Sequence, residues 1–481
     1  MASVTHAPAE VDLQVLKGPP YKAILKLALP TVGAMLLQSA VNEIDVVFFS
    51  RLPCPESSNA QAALLPSLIL VWLFGGSLSA ISVGTQAITA RRFAERDNES
   101  AGRVLANSAF FCLVAGALFS LLGAFTIKHL IALMIPDNPP VQQIAYEYSR
   151  YRLFGVVSMA MTMGVKAFFD GIGKTYFHFY ASLIMNVFNV LFCYAFIFGH
   201  FDMPRLGAPG AGLSAFMATW IGLGIMLFFA FRERERFKFL KWSNVSRSLT
   251  WDILKLSIPA AFATVAMMVG FGLFSSVAGK LDARSVHDAA AKIATACGGV
   301  EAVNGAATTN IVAVMKLTFT ACIAFGTATA TLVGQSLGAK LPKEATKFGW
   351  ASVRLGLVVF GVVGLCEGVL FTPQLVGFIS HSEAVRAAMI MPMRMMAIIT
   401  PIIATGMILS EALFGAGNTK FVAGAQFFLV FGILVPLAWV LGLMTSYGLL
   451  GMWTAAVTYA CSAALVMSVK FRGGTWQKIK V

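Results

Sequence analysis

Among the ionisable side chains inside long apolar runs of this sequence, the candidates are Glu43, Asp45, Lys166, Asp170, Lys316, Arg354, Glu367 and Glu411. A charge at the centre of a bilayer costs at least about 2.5–3.5 kcal/mol, so such groups are kept for ion pathways, proton relays or substrate contacts. Asp45, Lys166 and Glu411 lie deepest in apolar sequence and are the leading functional candidates. Glu43 and Asp45 are two apart on a helix and point to different faces, so one of them enters the interior. Asp170 abuts a Gly-Ile-Gly-Lys-Thr turn, is expected to reach water, and has Lys166 four residues before it as an ion-pair partner. Glu367 and Arg354 read as near-end residues that snorkel. Asn186 and Asn189, in the run SLIMNVFNVLFCYAFIFG, are buried amides that serve either as interhelical hydrogen-bond partners or as ligands. Pro30 and Pro259 each sit inside an apolar run, remove a backbone hydrogen bond and can bend a helix. A bendable helix that carries a carboxylate is a candidate switch.

Other motifs point away from chemistry. GIGKT (Gly171–Thr175) ends like a phosphate-binding loop, but the required first glycine falls at Phe168, and a second copy, GAGNT (Gly415–Thr419), has Asn418 where Lys174 stands. A tight helix–helix turn, with glycine permitting φ > 0, is expected instead. GQSLG (Gly334–Gly338) fits the serine-hydrolase pattern without a histidine partner, so small-residue helix packing is the reading. The seven cysteines include no CxxC and no histidine at zinc-ligand spacing. No cofactor and no metal site is expected.

The elements that must position these residues follow from composition. The chain has 481 residues, 58% hydrophobic and 12% charged, against roughly 45–50% and about 25% in soluble domains. A soluble enzyme is excluded. Twelve segments have the roughly 20 apolar residues a spanning helix needs: 23–49, 61–90, 102–128, 142–169, 176–199, 208–231, 252–280, 305–337, 345–371, 384–414, 420–445 and 449–470. The expected fold is an all-α polytopic membrane protein of twelve transmembrane helices in two six-helix lobes. Residues 1–22 and 471–481 are terminal segments, 23–231 the N-lobe, 232–251 a basic linker and 252–470 the C-lobe. Net charge is +14, yet one side of this topology carries only Arg51, Lys128, Arg205, Lys280, Arg284 and Lys292. The basic surplus therefore reads as an orientation signal with both termini cytoplasmic, not as a nucleic-acid surface.

The chain also repeats. GIGKT returns as GAGNT at an offset of 244 (415 − 171), Arg150 as Arg394, and Leu206–Gly207 as Leu450–Gly451. ILKLALP (Ile24–Pro30) returns as ILKLSIP (Ile253–Pro259) at 229 (253 − 24), so a net 15 residues (244 − 229) are added between the seventh and eighth spans. Six spans per repeat give both halves one orientation, and the pseudo-twofold axis then runs along the membrane normal, as in parallel-repeat transporters.

ATATLVGQSLGAKLPKEA (Ala328–Ala345), GIGKT with GAGNTK, the Asn186/Asn189 span, and a first span with Pro30, Gln38 and Asp45 together resemble the multidrug and toxic compound extrusion (MATE) transporters, from about Leu27 to Lys470. The resemblance implies a two-lobed antiporter that exports organic, often cationic, compounds in exchange for H⁺ or Na⁺. Of that family's N-lobe cation site, Asp45 and Asn189 match. Cys193 replaces an aspartate, Ala215 with Ser214 beside it replaces a threonine, and Lys166 replaces an asparagine. The loss of oxygen ligands and the gain of an ammonium favour H⁺ over Na⁺ and suggest a Lys166–Asp45 pair that protonation breaks, with Glu411 as a second titrating candidate. The partners implied are a small organic substrate and membrane lipid, the state a monomer, and the location a bacterial inner membrane. The alternative is a flippase for a lipid-linked precursor, with a channel or receptor behind it.

Overall fold

The structure is a computed structural model that describes residues 18–53, 56–135, 139–241, 244–287, 303–380 and 383–479. Its helices are α1 (Pro20–Ser50), α2 (Glu56–Phe74), α3 (Ile81–Ala94), α4 (Asn98–Met134), α5 (Pro139–Phe154), α6 (Val156–Gly171), α7 (Tyr176–Phe198), α8 (Ala208–Arg232) and a short α9 (Arg234–Phe237). They continue as α10 (Arg247–His287), α11 (Val303–Gly338), α12 (Pro342–Leu365), α13 (Thr372–Ile379), α14 (Glu383–Ile398), α15 (Thr400–Gly415), α16 (Thr419–Leu429), α17 (Val435–Trp439) and α18 (Gly448–Arg472). Among the described residues nine segments are long and apolar enough to cross a membrane unbroken. Three more qualify as bent pairs: α2 with α3 at 43°, α5 with α6 at 44°, and α14 with α15 at 53°. That makes the expected twelve spans, although segments 61–90, 142–169 and 384–414, read as single helices, are each broken near the middle.

Two compact units are present. One runs to Ala261 and includes Thr331–Ala345; the other holds Phe262–Ala330 and the chain from Thr346 onward. Each has its own apolar core. In the first, Ile81, Ile88, Val104, Ile127, Leu153 and Val156 are buried together; in the second, Phe274, Ile311, Met389, Met393, Met452 and Trp453 are.

The internal repeat governs where helices stop. α6 ends at Gly171 and α15 at Gly415, and both close in the same way. Gly173 (φ +78) and Gly417 (φ +83) take the left-handed conformation, while Lys174 N–H bonds Phe169 C=O at 2.8 Å and Asn418 N–H bonds Leu413 C=O at 2.9 Å. This is the glycine-terminated cap that satisfies the last carbonyls of a helix, so GIGKT and GAGNT are turns. α3 and α11 end likewise at an offset of 244 (340 − 96), but with Arg96 (φ +63) and Lys340 (φ +58) in the left-handed position, where a side chain costs roughly 1–2 kcal/mol. GQSLG proves to be a packing element: a side chain at Gly338 would lie 2.5 Å from the Arg91 carbonyl oxygen.

Two polar anchors hold the loops on this basic side. Asp97 caps α4 by accepting the Ser100 N–H at 2.9 Å, and these bonds hold its carboxyl below the usual carboxylate range. Asn107, fully buried, donates to Arg103 C=O and Asn244 C=O, both at 2.7 Å, and accepts from Ser246 N–H at 2.8 Å and Thr250 Oγ1 at 3.0 Å. It ties the linker to α4.

Candidate functional site

Asp45, on the second half of α1, is 1% exposed. Its partners Tyr148 and Cys193 belong to one buried apolar cluster with Phe48, Phe49, Leu52, Leu64, Ile197 and Ala211. Its Oδ2 accepts the Tyr148 hydroxyl at 3.1 Å and lies 3.7 Å from an Arg152 guanidinium nitrogen. Its Oδ1 faces the Cys193 thiol at 3.8 Å. Tyr148 and Arg152 are one turn apart on α5, and Arg152 in turn donates to the Tyr148 oxygen at 2.5 Å. Gly212 lets α8 pack directly on the Tyr148 backbone, and Phe49 meets the Tyr148 ring edge-on, centroids 6.3 Å apart. The result is a carboxylate whose negative charge is balanced by one guanidinium and steered by one phenol.

α7 supplies the other wall. Cys193 bridges from Asp45 to Asn189 Oδ1, 3.8 Å away, and lies within hydrogen-bond reach of Ser214 on α8. Ser214 also donates to Gly210 C=O at 2.7 Å. Asn186 is buried, with neither amide atom partnered among the described residues. Gln38 is half-buried on α1.

Lys166 is placed differently from the expectation. It does not pair with Asp45; its Nζ lies 2.5 Å from Asp170 Oδ2. The i, i+4 spacing on α6 puts ammonium over carboxylate, while Arg152 supplies the positive charge at Asp45. Asp170 does not reach water either. It is 1% exposed, because the end of α6 is sealed by α11: Thr331 Oγ1 donates to Asp170 C=O at 2.9 Å and Gln335 Nε2 to Gly171 C=O at 2.8 Å.

Pro30 lies within α1 without ending it. Beside it the Leu27 carbonyl accepts two hydroxyls, Thr31 at 2.9 Å and Thr175, of the GIGKT turn, at 3.1 Å. Pro259 lies inside continuous α10. Glu411 belongs to the other unit, on α15, its stem lodged over Gly326 of α11, where a Cβ would approach it to 2.5 Å. In that unit Glu367 is not a free snorkelling group, since its Oε1 accepts Thr318 Oγ1 at 2.9 Å; Arg354 is exposed. The side chain of Glu43 lies outside the described residues.

Tyr148 and Arg152 carry no expectation in the sequence analysis, although Arg152 falls within the span 142–169. A charge in hydrocarbon needs a purpose, and Arg152 is as costly there as Lys166.

Residues 30–195 and 259–440 match the family model described as MatE. Over 467 residues the chain is 22% identical to a "Probable multidrug resistance protein NorM" of Thermotoga maritima, covering 95% of this chain and 93% of that one. Two solved structures share the fold at 22% identity. One is described as an outward-facing multidrug resistance MATE family transporter of the MOP superfamily, with a TM-score of 0.83 over 96% of this chain and 97% of the other. The second is a MOP superfamily transporter from Pyrococcus furiosus, described by the reverse polarity of its binding pocket, with a TM-score of 0.84 over 97% and 99%.

Proposed function

The chain belongs to the MATE family, a family of membrane transporters and not of enzymes, and on that premise we propose that it is a proton-coupled multidrug exporter. It moves organic, cationic or amphiphilic compounds outward by alternating access, from an inner membrane with both termini in the cytoplasm and residues 23–231 and 252–470 as its two lobes. The observation that carries this reading is the buried Asp45 carboxylate, balanced by Arg152 at 3.7 Å and bonded by Tyr148 at 3.1 Å.

Protonation of Asp45 removes the negative partner of a guanidinium in a low-dielectric setting, where charge interactions are strong. Arg152 and Tyr148 must then find other acceptors. Asp45 rides on α1, whose hydrogen-bond ladder is already interrupted at Pro30, so the change in pairing biases the bend of that helix. Proton is favoured over sodium because the groups on Asp45 are a guanidinium, a phenol and a thiol. A sodium ion would have to displace the guanidinium and would gain few hard oxygen ligands. Asn189, Cys193 and Ser214 shape the pocket from the side of α7 and α8, and Glu411 is a second protonatable group. The interior cations Arg152 and Lys166 favour one further reading, a flippase for a lipid-linked anionic precursor.

The test is efflux of a fluorescent organic cation from proteoliposomes under an imposed pH or Na⁺ gradient, with native protein and Asp45→Asn side by side. Efflux driven by the pH gradient and lost in the variant is expected. Efflux driven by sodium alone overturns the proton assignment, and no efflux under either gradient moves the flippase to the front.

A further inference from the structure

We propose that the inward face of α7 carries a water-lined proton path that leads from Asp45 past Asn186 and His178 to Asp170; it rests on reading Asp45 as the titrating group. Cys193, Asn189, Asn186, Ser182 and His178 recur at steps of four, three, four and four residues, and all five are buried. At 100° per residue they occupy an arc of about 80°, and at 1.5 Å rise they extend about 22 Å along the helix. That is most of a bilayer's apolar thickness of about 30 Å. Apart from the exposed Tyr176, Tyr180 and Tyr194, the rest of α7 is apolar, so a buried polar stripe of this length is not a by-product of composition.

Three members of the path have polar atoms that no atom of the described residues satisfies. Both ring nitrogens of His178 (5% exposed), both amide atoms of Asn186 (7%) and Oδ1 of Asp170 are buried without a hydrogen-bond partner. Each unsatisfied group costs about 1–3 kcal/mol, and folded proteins meet such sites with ordered water held by two to four polar contacts. Orphans clustered along one stripe mark where that water runs. The ends of the stripe are chemically suited to a proton. At one end stands the Asp45 carboxylate beside Cys193; at the other, Lys166 engages only Oδ2 of Asp170 and leaves Oδ1 open. Among the elements packed around His178, α6 contributes Lys166 and Asp170, α1 has Lys22 and Lys26, both exposed, and α8 has no charged residue before Arg232.

The transfer conserves atoms at each step. The O–H bond of protonated Asp45 breaks as a water takes the proton, and each water passes one proton on as it receives one. His178 accepts at one ring nitrogen and releases from the other, and the final O–H bond forms at Asp170 Oδ1 while Lys166 keeps Oδ2.

Two measurements test this. Cysteines introduced by Ser182→Cys and Asn186→Cys are treated with a small water-soluble methanethiosulfonate, with lipid-facing Val187→Cys as reference and peptide mass as readout. Reaction at least tenfold faster than the reference is expected, and reaction no faster overturns the path. In proteoliposomes, His178→Leu should slow pH-driven efflux and its accompanying proton flux at least tenfold, with the KM for the organic cation and the Tm unchanged. His178→Gln, whose amide can hold a water but cannot take up a proton at one atom and release one from another, should stay about as slow as His178→Leu, and native rates in it would overturn the relay step. Native rates in His178→Leu overturn the proton role even where the cysteines react. Absence of pH-driven efflux in the native protein would instead refute the parent reading, and the proton role with it, while the thiol result still decides whether the stripe is wet.

Discussion

Replacing Arg152 with glutamine removes the one guanidinium at Asp45 while keeping a hydrogen-bond donor for Tyr148. At 3.7 Å and an effective dielectric near 20, the Coulomb attraction lost is about 4 kcal/mol before solvation is repaid. Neighbouring arginines stabilise ionised aspartates by about 1–3 pH units of titration. The guanidinium favours the charged carboxylate, so without it the proton is retained to higher pH, and the pH of half-maximal transport rises by about 1–3 units. Rates of substrate efflux measured across pH in proteoliposomes read this directly, and Arg152→Lys should fall between the two. A stability cycle supplies an independent check. Arg152→Gln should cost about 3 kcal/mol in the native background, the low end for breaking a buried pair because Arg152 is partly exposed, and clearly less in an Asp45→Asn background. Coincident pH profiles together with additive stability losses would refute the claim that Arg152 balances Asp45.

Three further outcomes follow from geometry away from the site. Asn107→Ala strands four buried or half-buried hydrogen-bond partners and should cost about 2–4 kcal/mol, with faster proteolysis of the linker near Asn244 as the readout. Lys340→Gly relieves a left-handed backbone worth roughly 1–2 kcal/mol against about 0.5–1 kcal/mol of added unfolded-chain entropy, so the Tm in detergent should rise slightly; a fall would show that the lysine side chain is itself structural. Asp97→Ala removes a helix cap and should cost about 1 kcal/mol at neutral pH. Because the folded carboxyl titrates below its usual range, this contribution is present above an unfolded value of about 3.9 and vanishes as pH falls through the folded one. Native and variant Tm values should therefore converge in strong acid.

Span number was legible because hydropathy sums over twenty residues and tolerates local error. The same averaging hid the breaks: an apolar window can be drawn across segments 142–169 and 384–414 although they bend by 44° and 53°. The turns after α6 and α15 were legible because glycine at a helix end has a local geometric cause, and two copies at one offset expose it. Local spacing also explains the outcome for Lys166, since a partner four residues away on the same helix needs no tertiary arrangement. Arg152 reaches Asp45 from a different helix, a pairing that no spacing rule encodes. His178 sits in the aromatic run YFHFY, where its burial without a partner depends on which face of α7 turns inward, and that becomes evident only once α1 and α6 are in place.

Arg96 and Lys340 hold the same strained backbone at the same point of the two repeats, and neither is a glycine. Glycine would hold this conformation without strain, so each half takes on backbone strain at this turn to carry a cation there, and the two halves do so at the same step of the repeat.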